Sequence, residues 1–164
     1  MKKLSIKDQI QDFTILVDSR EQTPWKFDNS IIKGLPSGDY SIQWHGMDMN
    51  NRIVIERKSS VSELFSASGT DRDRWERELE RLKDVEYKWV ICEFPFLDFV
   101  NNTPPGKMLP SVVYGSICSW MIKYKIPFIF CENRINARSV AYKLLQFFVK
   151  YEIIEREINE NSSI

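Results

Sequence analysis

Strands are predicted where apolar residues are β-branched or alternate with polar ones, at residues 14–17, 40–44, 52–56, 88–92 and 127–131. Turn-forming residues separate the second of these segments from the third, so residues 40–58 are predicted to form a β-hairpin. The segment at 127–131 begins with proline, which a strand tolerates at its first position.

Helical periodicity and capping signals place helices after these strands. A capping-box sequence that begins at Ser60 predicts a short helix, and Gly69 is placed to end it. A second helix is expected to begin near Thr70, and a long final helix to run from about Asn136 to near Glu157. A further helix is predicted from one apolar stripe, formed by Val113, Ile117, Trp120 and Tyr124.

The order of these elements predicts an α/β fold with a mixed central β-sheet flanked by helices. We expect a single domain over residues 13–158, preceded by an N-terminal arm over 1–12 and followed by a C-terminal tail over 159–164. A Pro-rich connection is expected over residues 94–110.

Composition and charge narrow the classes of protein. The 164 residues include 23 basic and 23 acidic side chains, so net charge gives no simple argument for nucleic-acid binding. Neither a secretory signal nor a membrane span is expected from the sequence, and three widely spaced cysteines favour the reducing cytoplasm. His45 is the only histidine, which excludes histidine-based nucleases and a Ser-His-Asp triad.

Acidic residues gather where strands begin or end: Asp18, Glu21, Asp39 and Glu56. Because strand side chains alternate between faces, Glu56 and Lys58 are expected on one side of the hairpin and Arg57 on the other. Asp39, at the start of the first hairpin strand, is expected to face the end of the second. The pairing therefore brings two carboxylates and an ammonium group together at one edge of the sheet.

Clustered carboxylates repel one another unless a positive charge lies between them, and Mg²⁺ prefers such oxygen ligands. A bound Mg²⁺ polarises a phosphoryl oxygen and lowers the pKa of a bound water. Lys58 is placed either to orient that water or to stabilise charge on the phosphate. Glu56 and Lys58 alone are also typical of solvated hairpin charges, but carboxylates at several strand ends favour a site for phosphodiester hydrolysis.

Three segments in this order, VDSRE at 17–21, GDY at 38–40 and IERK at 55–58, resemble the nuclease domain of XPF/Hef-type endonucleases. That family belongs to the PD-(D/E)xK restriction-endonuclease-like superfamily. DRW at 73–75 is similar to the Gly-Arg-Phe segment of the family. The resemblance covers about residues 13–150 and looks closest to small stand-alone members from bacteria and bacteriophages.

The resemblance implies a restriction-endonuclease-like fold and a DNA endonuclease that depends on Mg²⁺ or Mn²⁺. It implies Asp39 and Glu56 as principal metal ligands, with Asp18 and Glu21 completing the acidic site, and Lys58 as the catalytic lysine. It also implies arginines that support the site or hold DNA phosphates, namely Arg20, Arg57 and Arg74.

Two departures from the family pattern leave alternatives open. Glu63 stands where the family usually has aspartate. We also expect the protein to lack the helix-hairpin-helix module that relatives use to grip branched DNA. We expect branched DNA or junctions between single and double strands as partners, in repair, recombination or phage DNA processing. The alternatives are a non-catalytic DNA-binding or scaffold subunit and a Holliday-junction resolvase.

The final helix is apolar on more than one side, although packing on its own sheet requires only one stripe. The preceding helix carries small residues, Gly115, Ser116 and Ser119, that permit close approach. We therefore expect a homodimer through the two C-terminal helices, an arrangement that would also fit the family.

Overall fold

A computed structural model describes residues 9–162. Its strands are β1 Thr14–Asp18, β2 Ser30–Lys33, β3 Tyr40–Trp44, β4 Met47–Asp48, β5 Ile53–Lys58, β6 Tyr87–Cys92 and β7 Phe128–Phe130. Residues 1–8 of the predicted arm and 163–164 of the predicted tail lie outside the described residues. Ile10, from the described end of that arm, packs against the core.

The helices are α1 Val61–Ser68, α2 Arg72–Leu82, α3 Phe96–Asn101, α4 Pro110–Tyr124, α5 Arg134–Phe148 and α6 Glu155–Ser162. A π-helical segment, Val149–Ile154, joins α5 to α6, so the predicted long helix is continuous but changes its winding. The final helix crosses the predicted domain end at residue 158. Within the described range, no helix is long and apolar enough to cross a membrane.

The strands form one mixed sheet in the order β2-β1-β3-β5-β6-β7, with β4 paired to β3. Antiparallel pairing joins β1 to β3 and β3 to β5, whereas β2 lies parallel to β1 and β5, β6 and β7 run parallel. This confirms the predicted fold class and the antiparallel pairing of the hairpin strands. The carboxyl ends of β1, β5 and β6 consequently lie near the turn that precedes β3.

Apolar side chains cover both faces of the sheet. Ile53 and Ile55 of β5 face a core closed by α5, while Val54 between them faces a second core closed by α1, α2 and α4. The first half of β5 is therefore apolar on both faces, as expected for a central strand between two layers of helices.

Three elements were not predicted, namely β2, β4 and α3, and β4 is a two-residue strand within the predicted hairpin turn. Strand β2 has four exposed residues and α3 lies within the Pro-rich connection, so neither carries the burial pattern of its element type. The N-terminus of α1 also differs in detail. Ser60 is its N-cap without a side-chain cap hydrogen bond, and Glu63 instead accepts hydrogen bonds from the backbone and hydroxyl of Ser59.

Candidate active site

All eight residues predicted for the site line a single cleft of about 820 Å³, bounded by the ends of β1 and β5, the turn before β3, and helices α1 and α2. They are Asp18, Arg20, Glu21, Asp39, Glu56, Arg57, Lys58 and Arg74. The fold thus brings together residues that are up to 56 positions apart in the numbering, from 18 to 74.

Asp39 is fixed by the tight turn before β3. Gly38 has a φ of 68°, and a Cβ at this position would lie 2.1 Å from Val54 Cγ1, so the turn requires glycine. The Asp39 N–H donates to the Ile55 carbonyl at 2.9 Å, and its Oδ2 accepts from the Arg57 N–H at 2.7 Å. The carboxylate is therefore attached to β5 next to Glu56.

Glu56 and Lys58 share one face of β5, as predicted. Lys58 Nζ donates to Glu56 Oε1 at 2.8 Å and lies 3.9 Å from the ring centroid of Trp75 on α2. Burial acts to lower the pKa of Lys58, but the charge of Glu56 raises it above its ordinary value. The site therefore holds a buried, fully charged ammonium group between a carboxylate and an aromatic face.

Burial disfavours the charged form of both Asp39 and Glu56. Burial and the nearby charge of Glu56 raise the pKa of Asp39 well above its ordinary value. Burial likewise raises the pKa of Glu56, although Lys58 opposes the change. Because the charged form of both carboxylates is unfavourable in the empty site, a cation that neutralises them binds favourably.

Arg57 points to the opposite side of β5 and organises Glu21. Its Nη1 donates to Glu21 Oε1 at 2.9 Å and its Nε donates to Glu93 Oε1 at 2.7 Å. Burial opposes the guanidinium charge, but these two carboxylates raise the pKa of Arg57 above its ordinary value. Although Arg57 borders the cleft, its side chain is buried against these two carboxylates, so it supports the site by holding Glu21.

Asp18 is occupied by hydrogen bonds from the protein itself. Its Oδ1 accepts from the Leu35 N–H at 2.8 Å, and its Oδ2 accepts from Arg20 Nε at 2.7 Å. Although burial opposes this, these bonds lower the pKa of Asp18. The contacts give Asp18 the task of holding Arg20 and the loop at Leu35, and its place among the metal ligands stays a prediction.

Helix α2 supplies the other wall of the cleft. The side chain of Arg74 is 77% exposed and pairs only loosely with Asp71, at 3.3 Å. Glu78 Oε1 accepts from the Gly38 N–H at 3.0 Å and so fastens the turn that carries Asp39. The sequence pattern predicts Trp75 in the apolar stripe of this helix and gives Glu78 no role beyond the resemblance, although their i, i+3 spacing places them on neighbouring positions of one helix.

The residues present fit a divalent cation of the oxygen-preferring kind. In Asp39 and Glu56, one carboxylate oxygen accepts from the protein, and the other has no hydrogen-bond partner among the described residues. No three His, Cys, Asp or Glu side chains in the described part of the chain form a ready-made cage. Mg²⁺ is commonly held by one or two carboxylates with water and phosphate oxygens completing its shell, which this pair can provide.

Comparison of the sequence with known families gives a match to the ERCC4 domain over residues 8–144. A search of curated protein sequences found no match.

Two solved structures share the fold. XPF from Aeropyrum pernix in complex with DNA superposes with a TM-score of 0.65 at 22% identity, over 84% of this chain and 65% of that one. A second structure, XPF from Aeropyrum pernix, superposes with a TM-score of 0.62 at 20% identity, over 88% of this chain and 69% of that one. The chain thus spans just under two thirds of the length of the DNA-bound relative.

Proposed function

Because this chain belongs to the ERCC4 domain family, we propose that it is an endonuclease that hydrolyses DNA phosphodiester bonds with the help of Mg²⁺ or Mn²⁺. One observation carries the proposal: Asp39, Glu56 and Lys58 meet in one cleft, with raised carboxylate pKa values and a charged lysine between them and Trp75. DNA as the substrate is supported by the fold shared with XPF from Aeropyrum pernix, whose structure was solved in complex with DNA.

Asp39 and Glu56 would hold the cation, which when bound would supply positive charge at the scissile phosphate and make water a stronger nucleophile. Lys58 presents its ammonium group to the same cleft, where it donates a hydrogen bond to a phosphate oxygen as negative charge develops. Trp75 and the neighbouring strand limit the water around that ammonium group. Its charge therefore acts at closer to full strength than it would in open solvent.

Two arginines at the mouth of the cleft are placed to hold neighbouring phosphates. The side chains of Arg20 and Arg74 are 64% and 77% exposed, and they pair with the buried Asp18 and with the partly exposed Asp71. A guanidinium group suits bidentate contacts with phosphate. Since the chain as a whole is neutral, we expect DNA binding of modest strength that decreases as salt increases.

The proposal is tested by incubating the protein with linear duplex, flap, fork and four-way-junction DNA in Mg²⁺ or Mn²⁺. We expect cleavage of branched DNA that exceeds cleavage of linear duplex and that stops when the cation is chelated. Cleavage of only the four-way junction would identify a Holliday-junction resolvase. Binding of forked DNA without any cleavage would contradict the proposal and favour a non-catalytic subunit. Repair, recombination and phage DNA processing are the proposed cellular settings for either outcome.

We also propose that the protein forms a homodimer through α4 and the final helix. Apolar side chains remain exposed on both, including Ile122 at 82% on α4, and Phe147 stacked on Tyr151. Light scattering is expected to give twice the chain mass of 19.4 kDa. For Ile122→Asp, light scattering is expected to give the mass of a single chain.

Ile32→Asp serves as the control for that experiment, because Ile32 is 74% exposed on the edge strand β2 and lies on neither helix. It is expected to leave the mass unchanged. A monomeric wild type at micromolar concentration would contradict the dimer.

The cytoplasm stays the proposed location, consistent with three cysteines that are free thiols.

A further inference from the structure

Glu93 lies behind the cleft and joins several parts of the site. It follows β6, its side chain is only 7% exposed, and its Oε1 accepts from Trp25 Nε1 at 2.5 Å, Arg57 Nε at 2.7 Å and Arg134 Nη1 at 3.0 Å. Its own N–H donates to the Lys58 carbonyl at 2.9 Å. Glu93 is therefore attached both to the guanidinium group and to the backbone of the strand that carries Glu56 and Lys58.

Arg57 transmits the position of Glu93 into the cleft. Its Nη1 holds Glu21 at 2.9 Å, and its backbone N–H holds Asp39 Oδ2 at 2.7 Å. Arg57 therefore connects Glu93 to two acidic residues of the cleft, Glu21 and Asp39. Glu93 itself does not line the cleft, so it acts only through Arg57 and β5.

Arg134, the first residue of α5, ties this network to a helix outside the cleft. Its Nη1 contacts Glu93, and its Nη2 donates to the carbonyls of Thr23 and Pro24, each at 2.8 Å. These carbonyls belong to the loop that carries Glu21. The Arg134 side chain is 43% exposed and is absent from the cleft lining, so it touches neither the proposed substrate nor the proposed cation.

We propose that Arg134 and Glu93 are a positioning pair that holds Glu21 and Asp39 in their places in the cleft. The network contains two carboxylates, Glu21 and Glu93, and two guanidinium groups, Arg57 and Arg134, so its charges balance. If Arg134 loses its charge, Glu93 competes with Glu21 for Arg57, and a network with one partner missing no longer fixes its members in one arrangement. The positioning role rests on the proposed nuclease function, since cleavage is one of its readouts.

The test compares Arg134→Gln with Arg138→Gln. Arg138 lies one turn further along α5 and holds the Lys26 carbonyl of the same loop, but makes no contact with Glu93. For Arg134→Gln we expect kcat to fall about 10-fold with little change in KM for DNA, and Mn²⁺ to bind about 10-fold more weakly by calorimetry. For Arg138→Gln we expect both values to stay within about twofold of the wild type.

Two further measurements separate positioning from simple stabilisation. Arg134→Lys is expected to recover part of the lost kcat, because one ammonium group can still pair with Glu93 but lacks the planar fork that also reaches the loop. The Trp25 indole N–H resonance is expected to move in Arg134→Gln and not in Arg138→Gln, since Trp25 shares Glu93 Oε1. A purely structural role would lower Tm without changing kcat of the folded protein.

Equal kcat and equal Mn²⁺ affinity in the two glutamine variants would overturn the positioning role. Lack of cleavage by the wild type would overturn the proposed function instead, and the Mn²⁺ comparison then decides the positioning role by itself. Lack of Mn²⁺ binding by the wild type would overturn both.

Discussion

Asp39→Asn is expected to abolish DNA cleavage and, at the same time, to stabilise the free protein. The carboxylate is buried beside Glu56, and its raised pKa means that folding disfavours its charge at neutral pH. Asparagine keeps an oxygen that accepts from the Arg57 N–H but removes the charge. We expect kcat/KM to fall on the order of 10³-fold or more, and Tm without metal to rise at neutral pH.

The pH dependence follows from the direction of the pKa change. A carboxyl whose pKa is higher in the folded than in the unfolded state contributes stability that is fully present below its unfolded pKa, about 4 for aspartate. That contribution is lost as the pH rises through the folded pKa. The gain in Tm of Asp39→Asn over the wild type is therefore expected to grow from acidic toward neutral pH, and Mn²⁺ is expected to stabilise only the wild type.

Asp48→Asn is the matched control. Asp48 lies outside the cleft and pairs with Lys33 and Gln43, which lower its pKa. Its contribution has the opposite sign, because it is present above the unfolded pKa and lost as the pH falls. Asp48→Asn should leave cleavage unchanged and should not raise Tm. Retention of cleavage by Asp39→Asn, or a fall in its Tm at neutral pH, would contradict the assignment of Asp39.

The predictable part of this site depends on local geometry. The two-residue period of a strand separates Glu56 and Lys58 from Arg57, and one hairpin pairing then places Asp39 beside them, which the structure confirms. Short-range pattern and one pairing were enough, because hairpin strands are close in sequence and β5 is apolar on both faces.

The unpredicted part depends on contacts between distant segments. Glu93 meets Arg57 across 36 positions and Arg134 across 41, and no local period relates them. The one available signal was that Glu93 directly follows the predicted strand at 88–92. Strand β2 escaped prediction for a related reason, since it gains its identity only from parallel pairing with β1.

Lys58→Met is expected to abolish cleavage at every pH and to make metal binding strongly pH-dependent. Without the ammonium group, nothing at that position opposes the effect of burial, so the pKa of Glu56 rises further. A protonated Glu56 cannot bind a cation, and protons then compete with Mn²⁺. By calorimetry, we expect weaker Mn²⁺ binding than in the wild type at mildly acidic pH, and equal or tighter binding at alkaline pH because a nearby positive charge is gone.

Lys88→Met is the control for this change, because Lys88 is also a buried lysine but donates to backbone carbonyls, including that of Val85 at 2.8 Å. Burial acts to lower the pKa of both lysines. The charge of Glu56 outweighs burial and raises the pKa of Lys58, whereas the pKa of Lys88 is lowered. The two lysines therefore differ mainly in the groups that they contact. Lys88→Met should cleave DNA and bind Mn²⁺ with the pH dependence of the wild type. If Lys58→Met kept that same pH dependence, Glu56 would not be a ligand, and Asp39 alone would have to account for metal binding in the cleft.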